Sequence, residues 1–237
     1  MTAVTSRSLP SAIVFDFDGT ILDTETSACD AMASLYADHG LILDRDWWAS
    51  AVGTMIDAWQ DALQVLRDST LVDLEVLRDE VRLRHRNLML RTRPEPGVEA
   101  LLADCLLESV PVAVATSAPR AWVERHLGAA GLLSRFAVIV PVEDVANPKP
   151  HPEPYLTACS RLEVDPSRAV AIEDSPTGVA SAVAAGLYTV AVPSLLTRRF
   201  DFDHAHLRLD SLAGTGLAEL VEHRARTTGA EPMSQRA

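Results

Sequence analysis

A chain of 237 residues, 48% of them hydrophobic, can bury one large domain or two small ones, and its mixture of residue types is that of a globular protein. The formal net charge of -12 argues against a nucleic-acid or anionic-membrane partner, because such surfaces are met with basic residues. No apolar run approaches the length of a membrane span and the first ten residues lack a signal-peptide core, so a cytoplasmic protein is expected.

Residues 1–10 and 226–237 are polar and without apolar periodicity, and disordered tails are expected there. The run Ala12 to Phe15 reads as a buried strand and leads into Asp16-Phe17-Asp18-Gly19-Thr20. Period-two geometry puts Asp16 and Asp18 on one side of the strand end, and Gly19 lets the backbone turn. Two converging carboxylates repel unless a cation or a shared proton relieves them, so the stretch predicts a metal-assisted site. An acidic turn closing a strand is the plainer alternative.

From about 24 to 92 the pattern is helical throughout. Met32, Leu35 and Tyr36 form one stripe, Ile56, Trp59, Leu63 and Leu66 a second, and Leu74, Leu77, Val81 and Leu88 a third. A helical domain is therefore inserted after the first strand. Its return runs through Pro94, Pro96 and Gly97, a plausible hinge. Trp47, Trp48 and Trp59 read as packing residues of this insert rather than cleft lining.

After the insert, apolar runs alternate with helical stripes. The runs are Val112 to Ala115, Ala137 to Val140, Ala169 to Ile172 and Tyr188 to Val192. Pro96-Gly97 precedes a stripe of Val98, Leu101, Leu102 and Cys105, and Pro119 opens one of Trp122, Val123, His126 and Leu127. Ser175 is the expected cap of a helix that begins at Pro176, and Gly186 its left-handed stop. This rhythm predicts an α/β fold: a Rossmann-like parallel-sheet core of five strands, each buried on both faces, over 11–23 and 93–225, with the helical domain over 24–92. Cys29, Cys105 and Cys159 read as buried thiols, and His204 and His206 as part of a polar surface loop.

Ligands of open parallel sheets bind at the carboxyl ends of strands, and three polar clusters fall there: Asp16 with Asp18, Thr116 with Ser117, and Glu173 with Asp174. Asp16, Glu173 and Asp174 could supply hard oxygen ligands for Mg²⁺. Thr116 offers a hydroxyl, and the backbone N–H groups that follow it suit an anion. Against twenty arginines the chain has one lysine, Lys149, in Asn147-Pro148-Lys149-Pro150. Either this position requires a compact ammonium or its survival is accidental.

Taken in order, Asp16-Phe-Asp-Gly-Thr-Ile-Leu-Asp-Thr-Glu25, Thr116-Ser117, Lys149 within Asn-Pro-Lys-Pro and Ile172-Glu-Asp-Ser-Pro-Thr-Gly178 resemble the four motifs of the haloacid dehalogenase superfamily. The insert resembles the α-helical cap of its β-phosphoglucomutase-like branch, and the resemblance spans about residues 11 to 222. It implies that Asp16 attacks phosphorus and becomes an aspartyl phosphate, and that Asp18 protonates the leaving oxygen and then activates water. It implies phosphate binding by Thr116, Ser117 and Lys149, and a Mg²⁺ site made by Asp16, the main-chain carbonyl of Asp18, Glu173 and Asp174. Arg82 and Arg86 on the last helix of the cap, and Arg120 after the second motif, are candidate substrate contacts; a solvated face is the plainer reading of the first two.

Haloalkanoic dehalogenases of the superfamily lack the second aspartate of the first motif, so Asp18 argues against that reaction. Sugar phosphomutases carry a histidine twelve positions after the nucleophile, where this chain has Ala28. A Mg²⁺-dependent phosphatase of a small phosphorylated metabolite, with sugar phosphates in view, is the expected function. A phosphomutase and a non-catalytic binding protein on the same scaffold are the alternatives.

Overall fold

The computed structural model describes residues 9–51 and 58–228. In chain order the elements are β1 (Ala12–Phe15), α1 (Thr24–Asp38), α2 (Arg45–Ala51), α3 (Ala58–Thr70), α4 (Leu74–Met89), α5 (Val98–Leu107), β2 (Val112–Ala115), α6 (Arg120–Ala129), β3 (Val138–Val140), α7 (Glu153–Arg161), β4 (Ala169–Glu173), α8 (Pro176–Ala184), β5 (Tyr188–Ala191), β6 (Leu207–Arg208) and α9 (Leu217–Thr228). All strand pairs are parallel and the sheet order is β3-β2-β1-β4-β5-β6. The α/β expectation therefore stands.

Two details differ from expectation. A sixth strand, β6, adds two residues beside β5; its Leu207-Arg208 pair is too short to leave a periodic signal. At the opposite edge, β3 has Val138 and Ile139 only partly buried, since no strand covers its outer side. The strands β1, β2, β4 and β5 are buried at every position, as double-sided helical cover requires.

Central placement of β1 sets the geometry of everything that follows. Phe15 is in register with Val114 of β2 and Ile172 of β4, so the residues after these three strands emerge side by side. The Asp16 N–H donates to the Ile172 carbonyl at 2.9 Å, and the Thr116 N–H to the Val140 carbonyl at 3.0 Å. On one face Ile13, Phe15, Val114 and Ile172 share an apolar cluster with Leu101, Cys105, Val123 and Leu127; on the other, Val14 and Ala171 pack with Tyr155 and Cys159.

Helices α1 to α4 build their own apolar cluster around Met32, Leu35, Trp48, Leu63, Leu66, Leu77 and Val81. The Tyr36 hydroxyl donates to the Ala62 carbonyl at 2.7 Å and ties α1 to α3. Ile56, expected in the second stripe, lies outside the described residues, as do 1–8 and 229–237 of the expected tails. Within those tails Leu9 packs against the sheet cluster and α9 continues through Thr228. Cys29, Cys105 and Cys159 are buried and free. Among the described residues, no helix is long and apolar enough to cross a membrane.

Candidate active site

The carboxyl ends of β1, β2 and β4 meet beneath the helical insert, and a cavity of about 680 Å³ opens between them. Its floor carries Asp16, Asp18, Thr116, Ser117, Lys149, Asp174 and Ser175; its walls carry Thr24, Glu25, Ala28, Trp48, Trp59, Gln60, Arg78, Arg82, His85 and Trp122. That volume lies in the range that encloses a small organic ligand.

Lys149 is the centre of the charged floor. The residue is 4% exposed, and its ammonium lies 2.6 Å from Asp16 Oδ1 and 2.6 Å from Glu173 Oε1. A compact ammonium on a flexible four-carbon stem can donate to both carboxylates from one nitrogen, which gives this position a reason to be lysine in an arginine-rich chain. Burial by itself lowers the Lys149 pKa, but Asp16 and Glu173 outweigh it and leave it raised. Tyr155, which the motifs do not include, donates its hydroxyl to Glu173 Oε1 at 2.7 Å. Glu173 Oε2 accepts from the Asp174 N–H, the Ser175 N–H and the Ser175 hydroxyl. Both oxygens of Glu173 are thereby tied to the protein.

Asp16, Glu173 and Asp174 each bring an oxygen within 4.8 Å of the others, close enough to share one ion. Asp174 Oδ2 is buried without a hydrogen-bond partner among the described residues, a costly state for a carboxylate oxygen unless a cation meets it. Burial pushes Asp16 up to about 7, with Glu173 and Asp18 adding to the rise and Lys149 opposing it. Burial likewise drives Asp174 well above the usual carboxylate range, with Asp16 and Glu173 contributing. A divalent cation with oxygen ligands is the group this donor set fits, since it would relieve the crowded charge. Two glycines make the crowding possible. A Cβ on Gly19, at φ +80°, would stand 2.3 Å from Asp174 Oδ2, and one on Gly178 1.8 Å from Glu173 Oε1.

Asp18 is held differently. Its Oδ1 accepts from the Thr24 hydroxyl at 2.7 Å and from the Trp122 indole Nε1–H at 3.0 Å. Burial raises its pKa and these two hydrogen bonds partly counter the rise. Trp122 was expected in the packing stripe of α6; it packs there with one edge and reaches the cavity with its nitrogen. Periodicity marks a helix face but not which end of a large ring is polar and near a neighbour.

The cationic candidates divide. Arg82 lines the cavity, paired loosely with Asp79 at 3.8 Å. Arg86 is exposed and does not line it. Arg120 is also kept away from the cavity, because its guanidinium pairs with Asp144 at 2.7 Å and Glu124 at 3.3 Å. Arg78, one turn before Arg82, does line the cavity and contacts Gln60 and Glu75. Glu25, quoted within the first motif without a role, also belongs to the lining, near enough to Asp18 to feel its charge. Trp48 and Trp59, expected to pack inside the insert, do so and line the cavity as well.

Comparison with known proteins bears on the family and the fold. The family model of the haloacid dehalogenase-like hydrolases matches residues 13–192. The protein YhcW of Bacillus subtilis (strain 168) is 34% identical over 212 residues, covering 90% of this chain and 96% of that protein. Hexitol phosphatase B of Escherichia coli (strain K12) is 31% identical over 188 residues, 77% of this chain and 83% of its own. The crystal structure of CbbY from Rhodobacter sphaeroides in complex with phosphate superposes with a TM-score of 0.71 at 30% identity, covering 90% of this chain and 99% of that one. With its strand-end carboxylates and most of the sheet inside the matched span, the chain belongs to the haloacid dehalogenase-like hydrolase family.

Proposed function

We propose that the protein is a Mg²⁺-dependent phosphatase that hydrolyses a small phosphorylated metabolite, with a sugar or polyol phosphate as the substrate class, through an aspartyl phosphate on Asp16. The observation that carries the reading is the division of labour at the end of β1. Asp16 is held at Oδ1 by Lys149, whereas Asp18 is held at Oδ1 by two neutral donors. Lys149 opposes the effect of burial and favours the ionised form of Asp16, whereas Asp18, with no cation in contact among the described residues, is placed to exchange a proton.

Asp16 attacks phosphorus as the P–O ester bond breaks, and Asp18 gives its proton to the departing oxygen. Asp18 then takes a proton from water, which attacks the aspartyl phosphate and frees Asp16 and inorganic phosphate. Lys149, the Thr116 hydroxyl and Ser117 hold the phosphoryl oxygens, whereas the Ala118 and Arg120 N–H groups entering α6 are already bonded to Thr116 and Glu143. Asp16, the Asp18 carbonyl, Glu173 and Asp174 would hold Mg²⁺, which when bound would supply charge that offsets the phosphoryl oxygens. Four lining carboxylates, Asp16, Asp18, Glu25 and Asp174, face three lining cations, Lys149, Arg78 and Arg82, so the cavity favours an anion only with added positive charge.

Support for the sugar or polyol class comes from the hexitol phosphatase among the relatives and from walls that mix aromatic faces with Gln60, Arg78 and Arg82. The insert acts as the cap, closing the reacting centre from bulk water. Hydrolysis is favoured over phosphoryl transfer within the sugar because Ala28 lines the cavity where a mutase carries histidine. The test is a panel of phosphate monoesters assayed for inorganic phosphate release and for isomer formation. Phosphate release that EDTA abolishes and that Asp16→Asn lowers by about 10³-fold or more is expected. Isomer formed faster than phosphate would overturn the reading in favour of a mutase; normal turnover in Asp16→Asn would overturn the mechanism.

A further inference from the structure

A ladder of six rings runs from the insert into the core: Trp47, Trp48, Trp59, His85, Trp122 and His126, with neighbouring centroids 4.0 to 6.4 Å apart. All four tryptophans of the chain belong to it. One rung crosses between the two units, the stack of His85 from α4 on Trp122 from α6, with centroids 5.6 Å apart and planes 21° from parallel. Trp122 is the ring whose nitrogen reaches Asp18.

We propose that Trp122 is a positioning residue for Asp18, and that His85 couples this positioning to the insert by stacking on the Trp122 ring. The proposal rests on the phosphatase reading given above. An aspartate side chain turns about two bonds, so a single donor leaves its carboxylate free to pivot. Asp18 Oδ1 takes two donors from different units, Thr24 at the start of α1 and Trp122 in the first turn of α6. Together they set the plane of the carboxylate, while Oδ2 has no hydrogen-bond partner among the described residues and remains the oxygen that carries the proton. In the first half-reaction that proton goes from Oδ2 to the ester oxygen as the P–O bond breaks, the bonding pair staying on the oxygen.

The indole can donate along this line only if its ring stays in plane. His126 packs on it from within the same helix, and His85 packs on it from the insert. Burial holds His85 down to about 4, with His126 adding to the effect, so it meets the ring as a neutral imidazole. Its Nε2 is buried without a partner among the described residues, so a hydrogen bond with the Thr24 backbone and the ring packing on Trp122 together account for its place. The insert thus reaches Asp18 from two directions, through Thr24 directly and through His85 by way of Trp122.

The test compares two substrates and one spectrum. Protonation matters for an alkyl phosphate, whose leaving oxygen is basic, and much less for p-nitrophenyl phosphate, whose leaving group departs as a stable anion. Trp122→Phe keeps the ring and removes the N–H. It is expected to lower kcat/KM for the alkyl ester by about 10- to 100-fold, while that for p-nitrophenyl phosphate changes by less than about 3-fold. His85→Ala is expected to show the same asymmetry, reduced in size. In protein carrying ¹⁵N-labelled tryptophan, the indole N–H resonance absent from Trp122→Phe is expected to shift in both Asp18→Ala and His85→Ala.

Equal losses on both substrates, or no loss on either, would sink the role assigned to Trp122. An unmoved indole signal in Asp18→Ala would sink the contact, and an unmoved signal in His85→Ala the coupling to the insert. The spectrum is independent of turnover. A wild-type chain that hydrolysed neither ester would therefore refute the phosphatase reading, while the indole shifts would still decide the contact and the coupling.

Discussion

At Glu25, burial outweighs the usual acidity of a carboxyl group. It is pushed up to about 8, first by removal from water and then by the charges of Asp18, Asp16 and Asp23. In the unfolded chain the same group ionises near about 4.3. Between these values the folded state binds more protons than the unfolded state, so the Glu25 contribution to stability is full below the lower value and is lost as pH rises through the window. Glu25→Gln, which keeps the shape and removes the charge, is expected to flatten the fall of Tm between pH 5 and 8, measured in EDTA by differential scanning calorimetry. Asp16 and Asp174 are displaced in the same direction and leave some slope behind. An unchanged slope in the variant would show that Glu25 is already ionised in the folded protein. Lys149 stands opposite to these groups as the one buried ammonium of the floor, and its raised pKa keeps it charged throughout this range.

Among the elements, α8 illustrates how a helix start is built around a charged neighbour. Ser175 caps it by accepting from the Gly178 N–H at 3.0 Å, Pro176 occupies the first turn, and Gly178 leaves room for Glu173. In an ordinary helix alanine in place of glycine is stabilising, by about 1 kcal/mol. Here Gly178→Ala is expected to destabilise by about 1–3 kcal/mol, because the new methyl occupies the space of the Glu173 carboxylate and that group is anchored by Lys149 and Tyr155. Urea unfolding of the variant checks the sign, and a gain in stability would mean that Glu173 moves aside without loss. The loop after β5 forms a second link between the units. The Thr197 hydroxyl donates to the Asp174 carbonyl at 2.6 Å, Leu196 packs on the cluster of the insert, and Arg199 pairs with Asp46 of α2.

For the molecule as a whole, the floor of the cavity holds more negative than positive charge, although most of the chain's negative charge lies on its surface. Binding of a divalent cation to the folded state alone stabilises it by mass action, by about 2.7 kcal/mol at one hundred times the dissociation constant. With about 2–4 °C per kcal/mol for a chain of this size, Mg²⁺ is expected to raise Tm by about 5–10 °C. Asp174→Asn, which removes one ligand charge, is expected to lose most of that response. Equal melting curves with Mg²⁺ and with EDTA would refute a metal site in this floor.

The sheet and the strand-end residues were legible because their signals are local. A buried parallel strand is a short apolar run, a strand end is its next polar residue, and β1, β2, β4 and β5 were placed within one residue of their ends. Asp16, Asp18, Thr116, Glu173 and Asp174 could be named from such positions, and Lys149 from its being the one lysine of the chain and from its motif. The two-residue β6 and the partial exposure of β3 were not legible, since edge position depends on the order in which strands assemble. Nor were Tyr155 on Glu173, Arg78 and Glu25 in the cavity, or the withdrawal of Arg120 to Asp144. What the sequence determined by itself was the chemistry available at the strand ends, because residue type and period are written along the chain. Which oxygen of Asp18 is held, and by Trp122 104 positions away, was decided only when α6 and the insert packed over β1, because such contacts depend on distances between elements that no periodicity records.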